Sequence, residues 1–153
     1  MEGRILIQET DFQKARKKIN EAKKAGKKVA FSSNDDELNR KILEKENIDI
    51  LLINLSGRKD RMKQRDSGFN HVLARAAKTK NVAIGINLDE VLSARGKEKA
   101  EIISRIRQNI KLCNKNKLKM KFISKSTQIA DTYNLKSLSL VLGMPTWMVK
   151  NLE

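Results

Sequence analysis

The chain has 153 residues, 39% of them hydrophobic and 33% charged, a composition typical of a globular domain rather than of a disordered chain. Its 33 lysines and arginines exceed its 18 aspartates and glutamates, which gives a formal net charge of +15. Because such a surplus repels itself unless a polyanion neutralises it, nucleic acid is favoured as a partner over an anionic membrane surface. One cysteine and one histidine exclude an intrachain disulfide and a zinc site built from Cys and His.

The sequence shows no segment typical of a targeting signal or of a membrane span. Residues 1–6 lack the apolar core of a signal peptide, and no apolar run approaches the length that spans a membrane. We therefore expect a cytoplasmic protein with no membrane partner. Aromatic residues make up 4% of the chain, which argues against a single-strand binder that stacks bases on an aromatic surface.

Short apolar segments alternate with amphipathic stretches, which predicts an α/β fold with parallel strands and right-handed crossovers. The third apolar segment, 49–55, is the clearest strand, because a continuous apolar run is typical of a strand covered on both faces. The predicted strands are 4–7, 28–32, 49–55, 82–87 and 120–124, and the predicted helices are 11–25, 35–46, 68–79, 97–116, 135–142 and 146–152.

The helix ends have local signals. Thr10 or Asp11 can cap the first helix, and Gly26 can end it in the left-handed conformation. Gly143 stops a helix near the C-terminus, and Pro145 fits the first turn of the last one.

Five strands are too few for a closed eight-stranded barrel, which typically needs about 250 residues. An incomplete barrel has sheet edges, and edges are usually shielded or paired, so we expect a protein partner. The sequence shows no internal repeat and no linker, which predicts a single domain over residues 1–153.

The densest basic segment is 56–67, SGRKDRMKQRDS, where five cations stand against Asp60 and Asp66. It follows the third predicted strand, and loops at the carboxyl ends of parallel strands are the usual ligand-facing edge. A flexible solvated loop is the ordinary alternative, but this density and location favour contact with RNA. The candidate RNA-binding residues are Arg58, Lys59, Arg61, Lys63 and Arg65.

A second basic feature is the helix 97–116. At 100° per residue one face is apolar, and we expect RNA contact from the opposite face. No acidic residue occurs between Glu101 and Asp131, so the cations of this stretch repel one another unless a polyanion is bound. The apolar face holds Ile102, Ile103, Ile106, Ile110 and Cys113, and the opposite face holds Lys97, Arg107, Lys111 and Lys115.

The first and third helices give weaker signals. In the first, lysines 14, 17, 18 and 24 are partly balanced by acids, which is typical of a solvated face. In the helix 68–79 the apolar face is Phe69, Val72, Leu73 and Ala76, and His71, Arg75 and Lys78 point the other way. We expect His71 to be exposed, to contact RNA, a protein partner or solvent, and to have no catalytic role.

Three blocks resemble the thirty-kilodalton subunit family of archaeal and eukaryal ribonuclease P. They are RDSGFNHVLARAAKTKNVAIGINL at 65–88, RGKEKAEIISRIRQNIKLCNKNKLKMKFIS at 95–124, and NLKSLSLVLGM at 134–144. The resemblance implies a TIM-barrel-like α/β fold, here reduced or incomplete. It also implies a subunit of the ribonucleoprotein that removes the 5′ leader of precursor tRNA, in which the RNA is the catalyst.

The resemblance also bears on partners and residues. It implies binding to ribonuclease P RNA together with another small protein subunit, a heterotetramer being one assembly this allows. Gly68 and Phe69 then fall on structural positions of the family signature, whereas Asn70, His71 and Arg75 could reach RNA or a partner. No catalytic residue and no metal site is implied in this chain, and magnesium is expected as a cofactor of the RNA.

Two other functions remain open at this point. One is a stand-alone basic module for DNA or ribosomal RNA, although no helix-turn-helix or zinc-finger spacing favours DNA. The other is a metal-dependent phosphoesterase of the same barrel superfamily, whose sites use several histidines and acids. The single histidine argues against it, and the adjacent Asp35 and Asp36 are better suited to beginning a helix than to binding magnesium.

Overall fold

The computed structural model describes residues 3–125 and 131–152. Five strands form one parallel sheet whose spatial order follows the chain: β1 (Arg4–Gln8), β2 (Lys28–Ser32), β3 (Ile50–Ile53), β4 (Ala83–Asn87) and β5 (Met120–Ile123). The helices are α1 (Phe12–Lys24), α2 (Asp36–Lys45), α3 (His71–Lys80), α4 (Leu88–Ser93), α5 (Gly96–Lys115), α6 (Thr132–Leu142) and α7 (Thr146–Lys150).

The sequential parallel order confirms the predicted α/β fold of the incomplete TIM-barrel type. In a β/α barrel each strand pairs with the next one in the chain, and the same rule holds here from β1 to β5. The sheet is open in the described part of the chain, where the edge strands β1 and β5 are each paired on one side. Beyond the end of β5, the Lys125 Nζ donates to the Gln8 Oε1 at 2.7 Å, which joins the carboxyl ends of the two edge strands.

Alternate residues of the strands face two apolar layers of unequal size. The larger layer lies under the helices and contains strand residues such as Phe31, Leu51 and Ile84. A small cluster on the other face is built from Ala30, Ile50, Leu52 and Ile123. Because β3 contributes to both layers, all four of its residues are buried, and this explains its uninterrupted apolar sequence.

The helix caps follow the sequence signals closely. Asp11 and Asp35 cap α1 and α2 by accepting hydrogen bonds from backbone N–H groups of the first turn. Gly26 and Gly143 adopt positive φ angles of 72° and 100° just after α1 and α6, as predicted.

The helix predictions differ from the structure in detail: α6 begins three residues before the predicted 135–142, and two further differences concern α3 and α4. The helix expected at 68–79 begins at His71, because Asn70 is its N-cap. With this start the core side is formed by Leu73, Ala74 and Ala77, and Val72 is 53% exposed rather than part of the apolar face. The short helix α4 was not predicted, since its six residues span fewer than two turns of periodic pattern.

Within residues 3–125 and 131–152, none of the helices combines the length and the apolar character needed to cross a membrane.

Candidate nucleic-acid interface

The β3–α3 loop, residues 56–67, is held in shape by a buried arginine from α5. Arg105 is 2% exposed, and its guanidinium donates to the Leu55 carbonyl at 3.0 Å and to the Arg58 carbonyl at 2.8 Å. It also reaches the Asp60 Oδ1 at 3.2 Å. A buried charge is tolerated only when it is paired and hydrogen-bonded, and the start of this loop supplies both conditions.

Arg58 is the second structural arginine of the loop. Its guanidinium forms two hydrogen bonds with the Asp36 carboxylate, at 2.9 and 3.0 Å, and donates to the Asn54 carbonyl at 2.7 Å. Its side chain is 10% exposed. The structure therefore corrects the expectation that Arg58 is a free cation of the surface, because it connects the loop to the start of α2.

Gly68 follows the loop at a crowded position where any side chain would be strained. Its φ is +67°, and an added Cβ would lie 2.5 Å from the Arg58 Nη2 and 2.8 Å from the Ile53 Cγ2. Its N–H donates to the Asp66 Oδ1 at 3.0 Å, and Phe69 next to it is buried. Gly68 and Phe69 are thus structural, as the sequence suggested.

The outer part of the loop is a tight turn. Arg61 and Gln64 exchange two backbone hydrogen bonds, at 2.9 and 3.2 Å, and Met62 at the tip is 99% exposed. At the base, the Asp60 Oδ1 accepts the Asp66 N–H at 2.8 Å. This bond, together with the nearby Arg105, holds the pKa of Asp60 below its usual value.

Four of the five cations predicted in this loop face solvent: Lys59, Arg61, Lys63 and Arg65. Arg65 is the one closest to an acid, with its Nε 4.0 Å from the Asp60 Oδ2 and its side chain 47% exposed. A loop with a fixed backbone thus presents cations that are open to a polyanion. These four residues remain candidates for RNA contact.

The loop is joined to the middle of α5. The Gln108 side chain donates to the Arg65 carbonyl and to the Ser67 Oγ, both at 3.2 Å, and Asn109 donates to the Ser67 carbonyl at 3.3 Å. On the outer face of α5, Lys97, Lys111 and Lys115 are exposed. The structure therefore brings the basic loop and the basic helix together into one surface.

Arg107 lies apart from that surface. Its guanidinium is directed to the Val141 carbonyl of α6 at 3.5 Å, on the side of α5 away from the loop. Among the predicted α5 cations it is thus the one least aligned with the β3–α3 loop. Lys97 has an acidic neighbour on the same helix, the Glu101 Oε1 at 3.9 Å from its Nζ.

The α3 candidates occupy two kinds of position. Asn70 caps the helix, with its Oδ1 accepting the Leu73 N–H at 3.0 Å. His71 and Arg75 are exposed on the following turns. The Lys78 Nζ donates to the Lys117 carbonyl at 3.3 Å, so the C-terminal end of α3 lies beside the turn that follows α5.

Arg105, Gln108 and Asn109 were not singled out from the sequence, and Arg105 was counted among the unpaired cations of its stretch. The signal that could have found them is the position of Arg105 and Asn109, beside the buried Ile102 and Ile106 on the inner face of α5. A polar residue on an apolar helix face needs a buried partner. The partners here are loop carbonyls far away in the sequence, those of Arg58 and Ser67.

Asp35, Asp36 and Cys113 carry groups that enzymes use, and in this structure each of them is engaged or buried. Asp35 accepts backbone N–H groups of α2, and Asp36 pairs with Arg58. Burial raises the pKa of the Cys113 thiol, which keeps it protonated and unreactive. Among the described residues, no group of three or more His, Cys, Asp or Glu side chains is arranged to hold a metal ion.

Comparison with known proteins gives a consistent result. The model of a family described as RNase P subunit p30 matches residues 3–151. Ribonuclease P protein component 3 of Methanothermobacter thermautotrophicus is 28% identical over 127 residues, which cover 83% of this chain and 49% of the relative. The protein of that name from Methanocaldococcus jannaschii is 33% identical over 119 residues, which cover 76% of this chain and 49% of the relative.

A solved structure is similar as well. A chain in the cryo-EM structure of archaeal ribonuclease P with mature tRNA superposes with a TM-score of 0.77 at 25% identity. The match covers 96% of this chain and 62% of that one. This chain therefore spans about half the length of the curated relatives it matches.

Proposed function

Because the chain belongs to the RNase P subunit p30 family, we propose that it is a protein subunit of ribonuclease P, working in the cytoplasm on the removal of the 5′ leader from precursor tRNA. In this proposal the RNA carries out cleavage, and the chain binds and stabilises it. The phosphoesterase alternative is not favoured, because the acids that might serve it cap a helix or pair with Arg58.

The observation that carries this proposal is the joined surface of the β3–α3 loop and α5. Lys59, Arg61, Lys63 and Arg65 are exposed on a loop whose backbone is fixed by the buried Arg105. A fixed set of cations loses less conformational freedom on binding than a flexible one, so more of the electrostatic attraction appears as affinity. Each phosphate contact also releases counterions, which makes the affinity depend on salt.

The mechanism follows from electrostatics. Phosphates of a folded RNA repel one another, and cations held at fixed positions lower the free energy of packing RNA segments together. Mg²⁺ ions serve the same purpose and also belong to the RNA catalyst, whereas this chain needs no metal of its own. The subunit should therefore lower the magnesium concentration that the RNA requires.

We also propose a neighbouring small protein subunit, with a heterotetramer as one assembly this allows. The open sheet leaves β1 and β5 as edge strands, and edges are commonly covered by a partner. In addition, α6 exposes Tyr133, Leu140 and Val141 at 79%, 57% and 70%. Apolar side chains of this kind suit a protein neighbour better than phosphate groups.

The proposal can be tested by reconstitution. Ribonuclease P RNA is assembled with the other protein subunits, with and without this chain, and cleavage of precursor tRNA is measured across a magnesium titration. We expect the chain to shift the magnesium midpoint to lower concentration. An identical midpoint in both assemblies would show that the chain does not support the RNA in this way.

A further inference from the structure

A second group of exposed lysines lies at the opposite edge of the sheet from the β3–α3 loop. The lower-turn lysines are Lys78 and Lys80 at the end of α3, and Lys117 and Lys119 between α5 and β5. The two turns are neighbours, since the Ile84 N–H donates to the Lys119 carbonyl at 3.0 Å and the Lys78 Nζ donates to the Lys117 carbonyl at 3.3 Å. All four side chains are in exposed residues.

These lysines are far from acids in the sequence. The segments 67–88 and 102–125 contain no Asp or Glu. The next strand in the sheet brings Asp49 close, but its carboxylate accepts the Lys23 Nζ and the Val29 N–H, both at 2.7 Å, on the side of α1. The positive charge of the lower turns is therefore not balanced by this neighbour.

The lower turns are connected to the β3–α3 loop along α5. Lys111 and Lys115 are exposed on the last two turns of that helix, below the point where Gln108 holds the loop. Residues four apart on a helix lie about 6 Å from each other. Because the Debye length is about 8 Å in physiological salt, these charges act as one continuous surface. The 20 residues of α5 give this surface a length of about 30 Å.

The surface offers cations but no stacking platform. The aromatic ring next to the lower turns is that of Trp147, which is partly buried, donates to the Asn114 Oδ1 at 3.0 Å and has the Lys117 Nζ 5.6 Å from its centroid. Proteins that bind unpaired bases use exposed aromatic rings, whereas RNA helices are bound mainly through their backbone and shape. This composition fits a ligand that presents phosphates along a regular path.

We propose that the β3–α3 loop, the outer face of α5 and the lower-turn lysines form one cationic track for the backbone of an RNA double helix. This rests on the proposed function and adds to it both the chemical class of the contacted RNA and a contact region at the lower turns. In this proposal the RNA helix contacts the β3–α3 loop at one end of the track and the lower-turn lysines at the other.

The test compares three RNA probes with the full chain. They are ribonuclease P RNA, a blunt RNA duplex of about 16 base pairs, and a single strand of the same length and composition. The duplex length is the one that double-stranded RNA-binding domains span. The variant is Lys78→Glu, Lys80→Glu, Lys119→Glu, which leaves Lys117 in place because its φ is +57°. The matched control is Lys14→Glu, Lys17→Glu, Lys24→Glu on α1, which changes the net charge equally and leaves the Lys18–Glu9 pair in place.

We expect the chain to bind the duplex at least about tenfold more tightly than the single strand. The lower-turn variant should bind the duplex roughly tenfold more weakly than the parent. Its plot of log affinity against log salt concentration should have a slope smaller by about 2 to 3. The α1 control should change duplex affinity less than about threefold. Circular dichroism and a urea midpoint would show that all three proteins are folded.

The inference would be overturned if the chain bound the duplex and the single strand with equal affinity, or if the lower-turn variant bound the duplex as the parent does. The proposed function would still stand in that case, provided that the chain binds ribonuclease P RNA. The inference also fails if the lower-turn variant binds RNA normally but no longer assembles with the other protein subunits. Failure of the unmodified chain to bind ribonuclease P RNA, even with those subunits present, would instead remove the proposed function.

Discussion

The β3–α3 loop and helix α1 are both rich in cations, but they use them differently. On α1, Arg16 pairs with Glu46 at 3.3 Å, Lys18 pairs with Glu9, and Lys23 pairs with Asp49 at 2.7 Å. These contacts join the helix to other parts of the same chain. At the loop, the strong pairs are made by the largely buried side chain of Arg58 and by the buried Arg105 of α5.

Cations that pair with acids of the same chain stabilise the fold, whereas exposed cations without such a pair are available to a ligand. Arg58 and Arg105 shape the loop, and four cations are exposed on it: Lys59, Arg61, Lys63 and Arg65. On α1 a share of the positive charge is neutralised locally by acids of the same chain. Cations left exposed on a fixed backbone, and not the density of charge along the sequence alone, are therefore the reason for proposing the loop as a binding surface.

The largest effect is expected at Arg105. In Arg105→Met, the carbonyls of Leu55 and Arg58 lose their donor and Asp60 loses its partner, which should lower the free energy of unfolding by about 3 kcal/mol. Urea denaturation measures this change, and hydrogen exchange should show faster exchange at residues 56–67. Arg107→Met, which removes an exposed guanidinium, is the control and should stay within about 0.5 kcal/mol of the parent. Equal losses in the two variants would mean that Arg105 does not stabilise the loop.

A smaller effect is expected at Gly68. In Gly68→Ala the new methyl group would meet Arg58 and Ile53 at a φ of +67°, which should cost about 2 kcal/mol and loosen the Arg58–Asp36 pair. Gly57→Ala is a close control, because Gly57 has a φ of +72° but open space around its Cβ position. Its cost should be about 1 kcal/mol from the backbone alone. Thermal unfolding of both variants distinguishes crowding from backbone strain, and a smaller loss in Gly68→Ala than in Gly57→Ala would contradict this geometry.

The smallest effect concerns how the free energy of unfolding changes at acidic pH. The pKa of Asp60 is lowered in the folded chain by the Asp66 N–H and by Arg105, so its ionised form stabilises the fold. This contribution is complete above the unfolded pKa of about 4 and is lost as the pH falls through the lower folded value. The stability difference between the parent and Asp60→Asn should therefore be constant near neutral pH and shrink below about pH 4. A difference that grows on acidification would rule out this role for Asp60.

The fold was predictable because its strands are short apolar segments separated by well-capped helices. β3 shows this most clearly, since burial on both faces leaves no polar position in its sequence. The start of α3 was misplaced because Gly68 and Asn70 both look like helix boundaries, and only the three-dimensional turn makes Asn70 the cap. Short elements such as α4 have too few residues for a periodic signal.

The position of the β3–α3 loop was predictable, but the roles of its arginines were not. The loop could be placed at the carboxyl edge of the sheet because it follows β3 directly. The pairing of Arg58 with Asp36 could not be foreseen, because the two residues are 22 positions apart in the chain. The burial of Arg105 had a local signal in its place on the inner face of α5, but its carbonyl partner 47 positions away had none. Long-range pairing decides which groups these arginines contact, and the local sequence does not identify those groups.

The most direct test of the central claim is the binding of ribonuclease P RNA to a loop variant, Arg61→Glu, Lys63→Glu, Arg65→Glu. It is compared with the α1 control Lys14→Glu, Lys17→Glu, Lys24→Glu. Both change the net charge equally, and Arg58 is left unchanged because it supports the fold. We predict that the loop variant binds this RNA about tenfold or more weakly, and that its slope of log affinity against log salt concentration is smaller by about 2 to 3. Ribosomal RNA should compete for the parent chain more weakly than ribonuclease P RNA does. The α1 control should bind almost as the parent does. Equal losses in the two variants would contradict the assignment of RNA binding to this loop.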